Sequence, residues 1–317
     1  MFHHSRGGAS HARASLLIAT ALTAALATVT GCSTGPAPRP GAAQSQARQE
    51  AAALAVLTDD ATSLRQRWQL FGTQQVLVQQ CMQRLGLRYL VTSTGPEPAA
   101  GVTTADTIGT ATPPSYEITG PPVGAIDGVT AQDRYVSSLA PAARERYLAA
   151  YNGSDTRMGT LTLPSGAVSQ YLTGGCEGQA RTELYGSVRA AMEDTFVPQN
   201  VNGMFQNYLT TDRPYQSALG TWQRCMAQAG WQAGTPAAAI QAIRAQAAVG
   251  ASPASLAGKQ HSEAATDRRC DTASGLRGTL VDQRKLFLKR QPASTLARLN
   301  QIEQARQSAL ARTPTAA

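Results

Sequence analysis

Two stretches of the chain share one pattern of apolar positions and one ending. Apolar residues recur at intervals of three and four, which predicts an amphipathic helix in each stretch. Each stretch ends in a Cys-Met pair, three further residues, a glycine and a large apolar residue, and the glycine predicts the helix end. The first stripe comprises Leu64, Trp68, Phe71, Val78, Cys81, Met82 and Leu85, before Gly86-Leu87, and the second comprises Tyr215, Leu219, Trp222, Cys225, Met226 and Ala229, before Gly230-Trp231.

A later helical stretch with a second cysteine follows each of these helices. Cys176 opens a run with apolar residues in helical register, and Cys270 lies late in the run 254–276. We therefore predict two related halves, 58–197 and 198–278, each closed by one disulfide: Cys81–Cys176 in the first and Cys225–Cys270 in the second. The alternative, Cys81–Cys225 with Cys176–Cys270, would join the two halves.

The first half carries further elements. We predict a short strand at 87–91, helices at 130–139 and 141–151, and a hairpin around the Pro-Ser-Gly of 164–166. Residues 93–128 are rich in Pro, Gly and Thr, and they predict a long loop of the kind that is usually functional or disordered. The predicted fold class is mainly α, with a few short strands in the first half, and α+β remains an alternative.

The remainder of the chain is predicted to be helical. Thr235-Pro236 has the residue types of a helix cap and a first helical position. Residues 279–317 predict one C-terminal amphipathic helix, bent at Pro292. Its expected apolar side consists of Leu286, Leu296, Leu299 and Ile302.

The N-terminal residues predict export and a lipid anchor. Arg6 and Arg13 precede an uncharged, mostly apolar run at 16–30, which is too short to span a bilayer and is typical of a signal peptide. The run ends in Val29-Thr30-Gly31-Cys32, which resembles the lipobox of bacterial lipoproteins. We expect residues 1–31 to be a lipoprotein signal peptide, Cys32 to be acylated and residues 32–57 to form a flexible tether. An ordinary signal peptide that leaves Cys32 free is the alternative.

Several segments together resemble a family. The paired Cys-Met-x3-Gly units and the segments 174–186, 222–226 and 263–270 are similar to those of exported, functionally uncharacterised lipoproteins of actinomycete bacteria. The resemblance covers roughly residues 60–280. It implies the extracytoplasmic location and the same two disulfide pairings, but no reaction.

Composition narrows the possible chemistry. The 317 residues include 28 Lys+Arg, 20 Asp+Glu and four His, and three of those histidines lie before residue 12. Removal of 1–31 would leave His261 as the single imidazole, which excludes a two-histidine zinc site within the mature chain. We predict no metal site, no cofactor and no catalytic residue. The modest positive charge lacks the basic-aromatic clusters of nucleic-acid binding, so no nucleic acid is expected.

The individual polar and aromatic candidates all have structural interpretations. We expect His261, Glu263 and Asp267 to form an exposed polar helix face, and the adjacent carboxylates of Glu193-Asp194 to be helix-end charge. Core packing is expected for the three tryptophans, and solvated helix faces for Arg268-Arg269 and the 285–290 cations.

These patterns favour a non-catalytic function. We predict a membrane-anchored extracytoplasmic lipoprotein that acts as a binding or envelope-structural module. Its partners would be membrane lipid through acylated Cys32, and a cell-wall polymer or another envelope protein, bound through loop 93–128 or a groove between the halves. The alternatives are a carboxylate-dependent cell-envelope hydrolase and an accessory subunit of a membrane complex.

Overall fold

The computed structural model of the chain describes residues 40–57, 61–91, 131–154, 157–248 and 252–313. The predicted mainly α fold is confirmed: eleven helices and one two-stranded sheet account for most of these residues. The elements, in chain order, are α1 Pro40–Leu57, α2 Ala61–Arg84, α3 Ala131–Ser138, α4 Pro141–Asn152, β1 Met158–Thr162, β2 Val168–Leu172, α5 Gly175–Tyr185, α6 Val188–Leu209, α7 Arg213–Gln228, α8 Pro236–Ala248, α9 Pro253–Ser274, α10 Leu276–Lys289 and α11 Ala293–Leu310.

The two Cys-Met-x3-Gly motifs end α2 and α7 with the same turn. The Leu87 N–H donates to the Met82 carbonyl, and the Trp231 N–H donates to the Met226 carbonyl, both at 2.9 Å. The two glycines have φ of +69° and +86°, a left-handed conformation that favours glycine. This is the Schellman arrangement, which satisfies carbonyls that have no partner inside the helix. The predicted helix ends are therefore confirmed.

The predicted hairpin is present, whereas the predicted strand at 87–91 is not. β1 and β2 pair antiparallel in the register Met158↔Leu172, on either side of the Pro-Ser-Gly turn. Residues 87–91 form no strand and pair with no strand among the described residues. Side-chain amides take the place of a neighbouring strand there, since Gln79 Nε2 donates to the Tyr89 carbonyl and the Leu90 N–H donates to Gln132 Oε1.

The main hydrophobic core surrounds α6. Buried side chains of α6 pack against α1, the hairpin, α10 and α11. The Phe205 and Phe287 rings lie 5.3 Å apart at its centre. Because α10 and α11 contribute to this core, the described part of the predicted C-terminal segment, 279–313, is an integral part of the fold.

The predicted boundary between two halves does not separate compact bodies. Residue 197/198 falls inside α6, which continues from Val188 to Leu209. The described residues from 41 onward belong to a single compact unit. The two disulfide-bearing regions are therefore parts of one domain, since α5, with Cys176, contacts α6, and α10 contacts both α6 and α7, with Cys225.

The predicted flexible tether is wrong for residues 40–57. These residues form α1, whose Ala53, Val56 and Leu57 side chains are buried in the main core. The Leu57 carbonyl at the end of α1 accepts a hydrogen bond from Arg284 Nη1 at 2.9 Å. The alanine- and glutamine-rich sequence favours a helix, and burial of its last turn keeps that helix on the domain.

The predicted C-terminal helix is two helices. α10 ends at Lys289 and α11 begins after Pro292, because proline does not continue a preceding helix. Leu299 and Ile302 are buried as expected, but Leu286 is 42% exposed. None of the described helices is both long and apolar enough to cross a membrane.

Candidate binding cleft

The structure joins the four predicted cysteines in the pairing favoured from sequence. Cys81 binds Cys176, and Cys225 binds Cys270, with a Cα–Cα distance of 5.5 Å in both bridges. The other predicted sites, Cys32 and the loop 93–128, lie outside the described residues.

The first bridge lies among tyrosines and amides. The Tyr89 hydroxyl donates to Gln75 Oε1 at 2.7 Å, and Gln132 Nε2 donates to the Tyr147 hydroxyl at 2.6 Å. Burial raises the pKa of Tyr147 to about 12 and also raises that of Tyr89. Both phenols therefore stay neutral near pH 7, and they act as hydrogen-bonding core residues.

The second bridge lies beside a buried ion pair, which corrects the expected exposed face at 261–267. Asp267 is fully buried, and its carboxylate binds Arg277 through both oxygens, with distances of 2.7 and 3.2 Å. Trp222 Nε1 donates to Asp267 Oδ1 at 2.8 Å. Of the predicted face, His261 is exposed, whereas Glu263 is 5% exposed. The buried charge occurs because α7 and α10 cover this side of α9.

Glu263 is the acid whose environment most changes its ionisation. Burial raises its pKa from 4.5 to about 7, nearby Lys259 opposes the rise, and Asp267 adds to it. The carboxyl group lies one turn before Asp267 on α9. We assign it a structural position, since it does not line either described pocket.

The larger of two described pockets is an open cleft of about 550 Å³ between α1, α2, α6 and α11, called here the α2–α6 cleft. Its volume is in the range of sites that hold small ligands. Its apolar wall combines side chains from three of these helices: Val56, Leu70, Phe71 and Pro198. Phe71 is 44% exposed, contrary to the expectation that it lies on the core side of α2.

A buried ion pair forms part of the same cleft. Arg306 Nη2 and Nε donate to Asp194 Oδ1 at 2.6 and 3.1 Å, and the Tyr185 hydroxyl donates to Asp194 Oδ2 at 3.0 Å. The side chains of Arg306 and Asp194 are 2% and 8% exposed. Burial, together with Asp194, raises the pKa of Tyr185, so its hydroxyl remains a donor. These three residues fasten the end of α5 and the helix α11 to α6.

The expectation of helix-end charge at Glu193-Asp194 is therefore wrong. Both acids lie in the second turn of α6 or beyond, and both are paired. Glu193 accepts hydrogen bonds from Arg189 and Arg298. Partners from α11 make this pair of carboxylates part of the packing between α6 and α11.

Uncharged polar groups and the exposed Arg67 complete the lining of the cleft. Thr195, Gln199 and Asn202 follow one another along α6, and Gln74 lies on α2. The Asn202 amide is already engaged, since its Oδ1 accepts from Arg284 at 2.6 Å. Gln74 and Gln199 form no hydrogen bond within the part of the chain that the structure describes, and Gln199 is exposed.

The cleft is the feature that sequence reasoning missed. Its residues come from positions between 56 and 306, so no local motif connects them. The one available signal was the acidic pair 193–194 in an otherwise weakly charged chain. No group of three or more His, Cys, Asp or Glu residues that could hold a metal ion occurs in the described ranges.

The chain was compared with protein-family models, curated proteins and solved structures. No protein-family model, curated protein or solved structure matches the chain.

Proposed function

We propose that the protein is a membrane-anchored extracytoplasmic lipoprotein whose α2–α6 cleft binds a component of the cell envelope without transforming it. The observation that carries this proposal is the cleft itself, an open cavity of about 550 Å³ in which apolar side chains, amides and a buried ion pair meet. Such mixtures of apolar walls and a few placed polar groups are typical of ligand sites.

The N-terminal sequence supports the anchor and the location. Cys32 ends the lipobox-like sequence 29–32, and only residues 33–39 separate it from the start of α1. Two acyl chains on Cys32 would hold the protein on a bilayer. The two disulfides support an oxidising compartment, since such bridges persist mainly in exported proteins.

The acids of the cleft favour binding over hydrolysis. Asp194 is the one carboxylate among its described lining residues, and Arg306 and Tyr185 already occupy it. Glycoside hydrolysis by carboxylates ordinarily needs two of them, about 5–10 Å apart across the substrate. The arrangement therefore suits a rigid wall of a binding site better than an acid/base pair.

Photo-crosslinking in the living envelope tests this proposal. A photoreactive phenylalanine analogue replaces Phe71 in the cleft or, as the control, the exposed Leu286 on α10. We expect an envelope adduct from position 71 that position 286 does not give. In a Cys32→Ser background we expect the protein to leave the membrane fraction and the adduct yield to fall.

Two results would contradict the proposal. Equal adducts from both positions would show that the cleft captures nothing specific. Retention of the Cys32→Ser protein in the membrane fraction, with an unmodified wild-type Cys32 peptide by mass spectrometry, would remove the lipid anchor.

A further inference from the structure

We infer that the α2–α6 cleft takes an uncharged saccharide rich in hydroxyl and amide groups, of the N-acetylhexosamine class. This inference rests on the proposed function, because it specifies the ligand of the same cleft. It is drawn from the charge balance at the buried end of the cleft, from the hydrogen-bonding groups of the ion pair there and from the position of an exposed ring.

The charges at the buried end of the cleft cancel, and the other charged lining residue, Arg67, is exposed and has an interaction of its own. Arg306 is paired with Asp194, and its third nitrogen, Nη1, lies 4.0 Å from Glu303 Oε2. An anionic ligand would meet two carboxylates around this guanidinium, and a cationic ligand would meet the guanidinium itself. A neutral ligand has neither cost, because moving an unpaired charge into a buried site is expensive.

The ion pair also retains hydrogen-bonding capacity. Arg306 Nη1 carries two N–H groups and makes no hydrogen bond within the described part of the chain, although the side chain is 2% exposed. Asp194 Oδ2 accepts one bond, from Tyr185, and a carboxylate oxygen has a second lone pair. A donor and an acceptor on one ion pair match a hydroxyl group, which is both acceptor and donor.

The walls of the cleft suit a sugar ring. Phe71 presents a ring that is 44% exposed, on which the apolar C–H face of a pyranose can pack. The Gln74 and Gln199 amides, which have no partner among the described residues, each supply donors and an acceptor. These are the groups that acetamido and hydroxyl substituents require.

A peptide fits the same surface less well. The walls of the cleft are helices, whose backbone groups are bonded within each helix, so they offer no strand edge to an extended peptide. A helical peptide needs a continuous apolar groove, whereas amides, a hydroxyl and an ion pair interrupt this one.

Titration of the full, acylated chain in detergent micelles with N,N′,N″-triacetylchitotriose tests the inference. N-acetyl-tetraalanine amide serves as the peptide probe. We expect saturable binding of the trisaccharide, about tenfold weaker in Phe71→Ala and roughly three- to fivefold weaker in Gln199→Met. The matched controls, Leu286→Ala and Gln301→Met, remove an exposed apolar and an exposed amide side chain on α10 and α11, and they should bind as wild type.

The remaining outcomes overturn the inference in distinguishable ways. Trisaccharide binding that Phe71→Ala and Gln199→Met leave unchanged would place the sugar elsewhere. Binding of the tetraalanine probe alone would make the ligand a peptide and leave the cleft as the binding site. If neither probe binds, the saccharide is wrong, and the cross-linking from position 71 decides separately whether the binding function stands.

Discussion

The two disulfide bridges lie in regions that share a helix-ending turn but bury different polar groups. One region surrounds Cys81–Cys176, and the other surrounds Cys225–Cys270. In both, the first cysteine lies near the end of a helix that closes in the same Schellman turn, with Met82 and Met226 fully buried. Around the first bridge, neutral tyrosines and glutamines form the buried polar network, and the neighbouring Glu177–Arg181 ion pair is partly exposed. Around the second, a buried aspartate pairs with Arg277 beneath a tryptophan.

The comparison separates what a local motif determines from what packing determines. The glycine and the Cys-Met pair specify the turn and place the sulfur, and they do so in both regions. The charge of the surrounding core depends on which helices arrive later in the chain. Changes to the motif should therefore have matched effects in the two regions, whereas changes to a fully buried charge should have their larger effect in the second region.

Removing the bridges should give the largest effects. We expect Cys81→Ala/Cys176→Ala to lower the free energy of unfolding by about 4–5 kcal/mol, and Cys225→Ala/Cys270→Ala by about 4 kcal/mol, because the closed loops span 95 and 45 residues. Urea unfolding measures both. If removal of Cys225–Cys270, which closes the shorter loop, costs clearly more unfolding free energy, then native packing rather than loop length determines how much each bridge stabilises the fold.

Loss of a buried polar group should lower the free energy of unfolding more in the second region than in the first. Asp267→Ala leaves Arg277 and the Trp222 N–H without their partner, and we expect a loss of about 3 kcal/mol. Tyr89→Phe in the first region removes one neutral hydrogen bond and should cost about 1 kcal/mol.

The control for that pair is Asp282→Ala, on a side chain that is 73% exposed, which should change stability by less than about 0.5 kcal/mol. Equal losses for Asp267→Ala and Tyr89→Phe in thermal or urea unfolding would contradict the proposed difference between the two cores.

The pH dependence of stability should show the contribution of Glu263. Its pKa of about 7 in the folded protein exceeds the value of 4.5 in the unfolded chain, so the folded state binds the proton more tightly. The stabilisation from this proton is complete below about pH 4.5 and is lost as the pH rises to about 7. Glu263→Gln should therefore raise the free energy of unfolding by about 2 kcal/mol at pH 8 and change it little at pH 4.

The matching control is Glu183→Gln, on an exposed acid of α5, which should change the free energy of unfolding by less than about 0.5 kcal/mol at either pH. If Glu263→Gln destabilises the protein equally at pH 4 and pH 8, the side chain acts through packing or hydrogen bonding rather than through its proton.

The helix-ending glycines should give the smallest and most nearly equal effects. An added Cβ would meet nothing within 4 Å at Gly86 or Gly230, so the cost of alanine comes from the positive φ alone. We expect a loss of about 1 kcal/mol at each position. Gly203→Ala, on the exposed side of α6, should instead stabilise by about 0.5–1 kcal/mol. Unequal losses at Gly86 and Gly230 would mean that the two turns are not equivalent.

Sequence patterns predicted the parts of this fold that depend on neighbours in the chain. Helix periodicity, the two glycine caps and the Pro-Ser-Gly hairpin are local features. The two disulfides were predicted because each Cys-Met helix is followed by a helical stretch with a second cysteine. The prediction of a strand at 87–91 was wrong. The residue types there are typical of a strand, but the backbone groups of Tyr89 and Leu90 bond to side-chain amides from α2 and α3 instead of to another strand.

Contacts between distant residues were not predictable in this way. Arg284 binds the Leu57 carbonyl from 227 residues away, and this contact helps turn the expected tether into a docked helix. Arg306 reaches Asp194 from 112 residues away and creates the charged part of the cleft. The residues next to Arg284 and Arg306 in the sequence do not indicate that these side chains bind groups so far away in the chain.

Hydrogen–deuterium exchange of the full chain with solubilised envelope fragments tests the central claim most directly, because it reports where binding occurs while mass spectrometry of the fragments reports turnover. The account predicts added protection in peptides that cover 67–74 and 194–202, no added protection around either bridge and fragments of unchanged mass. Protection confined to other segments, no protection at saturating fragment concentration, or cleavage of the fragments would contradict a non-catalytic binding cleft.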